Sequence, residues 1–329
     1  MLEFRMTDTQ LEPESGLKYL PISLFAAVMG FAGLAIATKK LEEMFELSTI
    51  GSTALLVISI AMWLAVFTAY ALKALRYPEA VIEELNHPVR LSFFPTASIG
   101  LLLIAIPMVE INELMANLIW WIGAIGQLGL MLLILDRWIH REHFKVEHNS
   151  PAWFIPVVGN LLVPLAGVEL GYVALSYFFF AIGIFFWLPL LAISLNRAFF
   201  FPAIPKKLLP TLFILIAPPA VGFLAWVKLH QNEIDDFAVL IYFFGLFTTL
   251  MLVSQAKRFM NLDFGLPWWA FTFPLTAITV ASFRFYELVP QLQYQIIALS
   301  LYAVTVLVIA MVLIATIFAF WRREICVPE

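Results

Sequence analysis

Long apolar stretches alternate along this chain with short polar ones, and the apolar stretches are too long for the core of a globule. A hydrocarbon layer of roughly 30 Å is crossed by about twenty helical residues. Ten stretches meet that length: 20–38, 47–73, 91–108, 114–136, 151–172, 174–195, 209–228, 236–256, 267–284 and 291–320. Glu169-Leu170-Gly171 is the only turn signal between the fifth and sixth. The tenth exceeds what a bilayer requires, so it is expected to tilt or project. The segment RYPEAVIEELNHPVR, 76–90, reads as an amphipathic helix at the membrane interface.

Helix breakers interrupt the apolar pattern at regular intervals. In PWWAFTFPLTAITVAS, 267–282, Phe273-Pro274 falls at the centre of an uncharged span. A proline there removes a backbone donor and clashes with the preceding turn, which predicts a kink near Thr272 and Phe273 with backbone groups left unpaired. Irregular backbone at membrane depth is tolerated where it is buried in protein or lines a water-filled cavity. Loop lengths pair the spans into five hairpins whose first members carry most of the breakers. These are Pro21, Gly30 and Gly33; Pro95 and Gly100; Pro156, Gly159 and Pro164; Pro218, Pro219 and Gly222; and Pro274. The steps from Pro95 to Pro156, Pro218 and Pro274 are 61, 62 and 56 residues, about one hairpin each, which is the pattern of an internal repeat. The predicted architecture is an all-α integral membrane protein of ten transmembrane helices in five hairpins. A kinked inner ring surrounds a central pore, and an outer ring faces lipid. Residues 20–320 form this pore domain, with tails at 1–19 and 321–329.

Composition agrees: 62% of residues are hydrophobic and 13% charged, which excludes an ordinary soluble domain. Fifteen of the nineteen Lys and Arg residues fall on the side shared by both termini, and only Lys39, Lys40, Lys228 and Arg284 on the other. That asymmetry places both termini in the cytoplasm. The N-terminal segment lacks a basic n-region and an apolar h-region, so no cleavable signal is expected. Cys326 is the single cysteine, which excludes an intrachain disulfide.

No ionisable residue lies well inside a span, whereas proton relays and ion-coupled carriers place such groups there. Passive, voltage-independent conduction is the expectation. A polar solute would then be held by backbone groups, helix-end dipoles and side chains such as Ser98, Asn160, Thr211, Thr272, Thr276 and Thr279. Dipoles alone leave the sign of the solute open. His140, His143 and His148 read as a solvated loop rather than a metal site. Glu42, Glu43, Glu46 and the acidic run 233–236 read as exposed loop ends. No Walker, Rossmann or nucleophile-elbow pattern is present, and no basic surface suits nucleic acid. The reading is of a protein with no catalytic residue, cofactor or metal.

Five segments occur in order along the chain: HPVRLSFFP at His87–Pro95, GAIGQ at Gly123–Gln127, SPAWFIPVVGN at Ser150–Asn160, APPAVGFLAW at Ala217–Trp226 and WWAFTFP at Trp268–Pro274. Together they resemble the family of tellurite-resistance protein A and dicarboxylate transporters, which includes the plant guard-cell slow anion channels. The resemblance implies five helical hairpins around a pore, a homotrimer with one pore per subunit, and occlusion by the aromatic residue before the last kink. That residue is Phe273. A phenyl ring in a narrow apolar constriction excludes water and so bars ions without a charged gate. Pro95, Pro156, Asn160, Pro164, Pro218, Thr272, Pro274 and Thr276 are the accompanying kink and pore-lining candidates.

The function implied is a passive anion channel for small monovalent anions such as chloride and nitrate, surrounded by membrane lipid. In a dehydration-limited pore the more weakly hydrated nitrate crosses more readily. The alternative is a secondary carrier for C4-dicarboxylate, sulfite or tellurite-related anions. Tails of about nineteen and nine residues offer little room for phosphorylation switches, which suits a short homologue in a bacterial inner membrane.

Overall fold

The computed structural model describes residues 16–140 and 148–327; most of the expected N-terminal tail, and His143, lie outside them. The described residues form twelve α-helices and no strand: α1 Phe25–Met44, α2 Ile50–Arg76, α3 Pro78–Asn86, α4 Thr96–Ile111, α5 Glu113–His140, α6 Ile155–Gly167, α7 Val173–Phe200, α8 Ala217–Leu229, α9 Asp236–Val253, α10 Ala256–Met260, α11 Thr272–Leu288 and α12 Leu292–Trp321. Among the described residues, nine helical segments are long and apolar enough to cross a membrane, and a tenth, Pro151–Gly167, is shorter. This is a multi-pass membrane protein. The fifth and sixth spans part at Gly171, whose φ of 84° is the left-handed conformation that glycine adopts without strain.

The first member of each hairpin begins as a tighter 3-10 segment and only then becomes α-helical. The 3-10 segments are Ile22–Leu24 before α1, Arg90–Phe93 before α4, Pro151–Phe154 before α6, Lys206–Ile216 before α8 and Leu266–Phe271 before α11. The prolines mark these switches. Pro95 is the N-cap of α4, Pro156 and Pro218 are the second residues of α6 and α8, and Pro274 is the third residue of α11. In a first turn the missing N–H has no intrahelical bond to lose and the fixed φ suits the helix. The irregularity expected at Thr272 and Phe273 is thus a change of helix type between Phe271 and Thr272, rather than a bend within one α-helix. Pro164 does lie inside α6.

Carbonyls along these first members are met by side chains from the second members. Trp63 of α2 donates to the Ala97 carbonyl at 2.9 Å, and Trp120 of α5 to that of Val163 at 2.9 Å. Gln127 of α5 donates to the Pro156 carbonyl at 2.8 Å, where the Asn160 amide also donates. These bonds satisfy acceptors that lipid cannot.

Burial divides the hairpins. The first-member windows through α1, α4, α8 and α11 are 67–83% buried; those of α2, α5, α7, α9 and α12 are 11–39% buried and carry the large exposed apolar side chains. Each first member packs on its own hairpin partner. It also packs on two other first members, α1 on α4, α4 on α6, α6 on α8, α8 on α11 and α11 on α1, so that the contacts close in a cycle. Small residues permit that approach. A Cβ on Gly30 or Gly33 of α1 would collide with the Thr272 or Thr276 side chain of α11.

Within the segment 76–90 the residues Pro78–Asn86 form α3, held at one end of the bundle by a buried network. Lys73 lies 3.2 Å from Glu84 and donates to the Leu20 carbonyl, and Tyr70 donates to Glu84 at 2.6 Å. Glu42 departs from its expectation as an exposed loop end. It is 5% exposed and accepts from the backbone N–H and hydroxyl of Ser52, which closes the turn between α1 and α2.

Candidate functional site

A cavity of about 280 Å³ lies where the cycle of first members closes. Every helix that borders it, α1, α4, α6, α8 and α11, is a first member, and no residue of α2, α5, α7, α9 or α12 reaches it. The lining runs from mid-helix toward the C-terminal end on α1, α4, α6 and α8, and from the first turn toward the C-terminal end on α11, so the five helices are parallel and their C-termini form one mouth. The deep end is set by the earliest lining residue of each helix: Gly33, Leu103, Leu162, Val221 and Phe273. Among the described residues Phe273 is the only aromatic one on this wall; it is 5% exposed and sits one residue inside the start of α11.

The cavity changes character along its length. Its deep half is apolar, with Leu103, Leu162, Val221, Ala277 and Val280. Its mouth holds Lys39, Lys40, Lys228 and Arg284 together with Glu43, Glu110 and Glu169. The four cations are the same four that stand alone on the cation-poor side of the chain. Loop counting found them, but only the fold brings them to one opening.

Of the candidates from sequence, Phe273 and Thr276 border the cavity. Pro95, Pro156, Pro218 and Pro274 start the α-segments behind it. Thr272 is fully buried, donates to the Trp269 carbonyl at 2.8 Å and packs against Gly30. Asn160 is fully buried; its amide donates to the Pro156 carbonyl, and its Oδ1 has no partner. Pro164 follows it by one helical turn.

The hydroxyls expected to hold a solute are engaged within the protein in this conformation. Thr276 donates to Phe273 O, Thr211 to Leu208 O and Thr279 to Leu275 O, while Ser98 lies 2.9 Å from Pro95 O and 2.8 Å from Gln127 Oε1. Gly33 stood out in the sequence only as a helix breaker, and Leu103, Leu162 and Val221 not at all, because nothing in their local pattern differs from other packed apolar positions. His140 donates from Nδ1 to the Asp136 carbonyl at 3.0 Å, and no metal-binding cluster occurs among the described residues.

The chain is 32% identical over 316 residues to an S-type anion channel of Arabidopsis thaliana, a match covering 93% of this chain and 60% of that protein. It is 29% identical over 299 residues to an uncharacterized transporter of Methanocaldococcus jannaschii, covering 84% and 87%. It is 27% identical over 272 residues to a tellurite resistance protein TehA homolog of Haemophilus influenzae, covering 82% of each. The chain thus spans about three fifths of the length of the first plant relative, and half of a second S-type anion channel of the same plant. A family model, SLAC1, described as voltage-dependent anion channel, matches residues 19–317, from the segment before α1 into α12. The five-hairpin chain, with its cavity enclosed by first members alone, belongs to the SLAC1 family of voltage-dependent anion channels.

Proposed function

We propose that this chain is a passive anion channel whose path runs through the cycle of α1, α4, α6, α8 and α11, with Phe273 as its principal barrier. The observation that carries this reading is the central cavity, bordered by all five first members and closed at its deep end beside a single aromatic ring. An apolar constriction of this kind dewets and blocks ions without needing a charge. The sign of the permeant ion is supported by the four cations at the mouth. Catalysis has no part in this reading, in which the charged groups at the mouth serve anion entry.

The path is read as voltage-independent in spite of the family's description, because no ionisable residue lies well inside a span, with small monovalent anions such as chloride and nitrate as its cargo and nitrate favoured over chloride. Both termini are read as cytoplasmic, in a bacterial inner membrane, which puts the charged mouth outside. Residues 20–320 are the pore domain and the assembly is a homotrimer. The exposed apolar faces of the second members supply surface both for lipid and for neighbouring subunits.

The test is anion flux through purified protein in liposomes, wild type against Phe273→Ala, under chloride and nitrate gradients. A large rise in passive flux in the variant is expected. No rise in folded, reconstituted protein removes Phe273 as the barrier. Saturable exchange by the wild type replaces the channel with a carrier for anions such as C4-dicarboxylates, sulfite or tellurite-related species.

A further inference from the structure

The mouth of the cavity is a charged collar with a definite connectivity. Glu110 of α4 lies 2.5 Å from Lys39 of α1; Lys39 lies 3.8 Å from Glu43; Glu43 lies 2.8 Å from Lys40; Lys40 lies 3.1 Å from Glu287 of α11; and Glu287 lies 2.6 Å from Arg284. This alternating chain of six groups crosses three of the five lining helices. Across the opening, Lys228 at the end of α8 pairs with Glu169, just beyond α6. All four cations border the cavity. Their side chains are 19–27% exposed, whereas the carboxylates are 30–67% exposed, so in every interhelical pair the cation is the more enclosed partner.

Five helix C-termini also converge here, each contributing partial negative charge. Without the four cations the opening would repel anions. With them, the collar carries four positive and four negative side chains that nearly cancel. Half-exposed pairs of this kind are individually weak, worth less than about 1 kcal/mol, so an incoming anion competes with the carboxylates on near-equal terms for the same cations.

We propose that Lys39, Lys40, Lys228 and Arg284 form the capture site for small inorganic anions above Phe273, and that Glu110, Glu169 and Glu287 set its strength by occupying those cations. The carboxylates are attenuators of anion entry rather than bystanders on the rim. This rests on the conducting path proposed above, and the collar residues set the rate of anion entry into it.

The experiment uses the full chain carrying Phe273→Ala, so that the barrier does not mask entry. Chloride conductance in planar bilayers is compared for Glu110→Gln/Glu169→Gln and for Lys39→Gln/Lys228→Gln, at about 20 mM and about 1 M salt, conditions that span weak and strong screening. The carboxylate variant is expected to raise conductance at low salt on the order of two- to tenfold and the lysine variant to lower it similarly, both effects fading at high salt. Opposite signs are the discriminating result. If the pairs only staple helices, removing either partner shifts conductance and thermal stability in the same direction, which overturns the proposal. Unchanged conductance in both variants, with Phe273→Ala conducting, also overturns it. Absence of flux through Phe273→Ala itself rejects the conducting path instead. Lys39→Arg/Lys228→Arg, which keeps both charges, is expected to retain conductance and guards against a folding defect in the glutamine variant.

Discussion

The last hairpin joins two helices that solve opposite problems. The α11 span is 83% buried, and it spends that burial on hydroxyls: Thr272, Thr276, Thr279 and Ser282 are fully enclosed, each donating to a carbonyl three or four residues earlier. Its partner α12 is 22% buried and presents Leu307, Phe318, Phe320 and Trp321 outward. A lipid-facing helix satisfies its own backbone and needs only apolar side chains. A helix facing four others and a cavity must be slim, which favours Gly, Thr and Ala, and can tolerate a 3-10 start because its surroundings are protein. The most apolar helices are therefore the least informative about the path. In the function proposed above, the conducting chemistry is written in the less apolar ones.

That contrast can be broken by equal substitutions placed on the two helices. Phe273→Ala on α11 should raise anion flux by about tenfold or more by wetting the constriction, whereas Phe318→Ala on α12, a side chain 53% exposed, should leave flux unchanged. Liposome flux measured side by side would sink the assignment if both variants behaved alike. Next in size is packing. Gly33→Leu on α1 drives a side chain into Thr276, and overpacking of this kind costs about 1–3 kcal/mol. Leu307→Ala on the outer face should stay within about 0.5 kcal/mol. Thermal unfolding in detergent reads both, and a destabilised Leu307→Ala would show that this face is packed in the assembly.

Gln127 is the exception that tests the rule, a fully buried amide on the second member α5 that bridges Ser98 of α4 and the Pro156 carbonyl of α6. Both partners keep another contact when it is lost, Ser98 with Pro95 O and Pro156 O with Asn160. Gln127→Leu should therefore cost only about 1 kcal/mol, and a loss several times larger in a denaturation series would mean that the bridge holds the two helices in register. A smaller loss than that of Gln127 is expected at Asp235, which caps α9 by accepting from Ala238 at 2.8 Å. Asp235→Ala should cost about 0.5–1 kcal/mol. The Ala238 N–H, with lesser help from Trp226, holds this carboxyl below its ordinary value of 3.8. A depressed folded value means that the cap's contribution is complete above pH 3.8 and is lost as pH falls through the lower, folded value. Helix content that responds to acid identically in wild type and Asp235→Ala would remove the cap from the account.

Much of this was legible before the fold. The ten spans, their pairing and the near-equal spacing of Pro95, Pro156, Pro218 and Pro274 follow from hydropathy and chain length, which are local properties. The prolines were read as interior kinks because sequence shows only that an α-helix cannot pass through them unbroken. It does not show that a 3-10 segment precedes each one and makes it a first-turn residue. Glu42 was read with its acidic neighbours, since its bond to Ser52 joins two helices. Phe273 stood out only through a resemblance in WWAFTFP; its composition and spacing are shared with many of the 31 phenylalanines.

By itself the sequence determined that this chain is a bundle of apolar helices in five hairpins, because transfer of apolar residues into lipid and the loss of an N–H at proline act on each segment alone. Only the tertiary structure decided which helices meet, that Phe273 rather than another ring borders the deep end, and that four scattered cations share one mouth. Those facts depend on parallel helices brought together at Gly30 and Gly33, a relation between residues more than two hundred positions apart that no local pattern encodes.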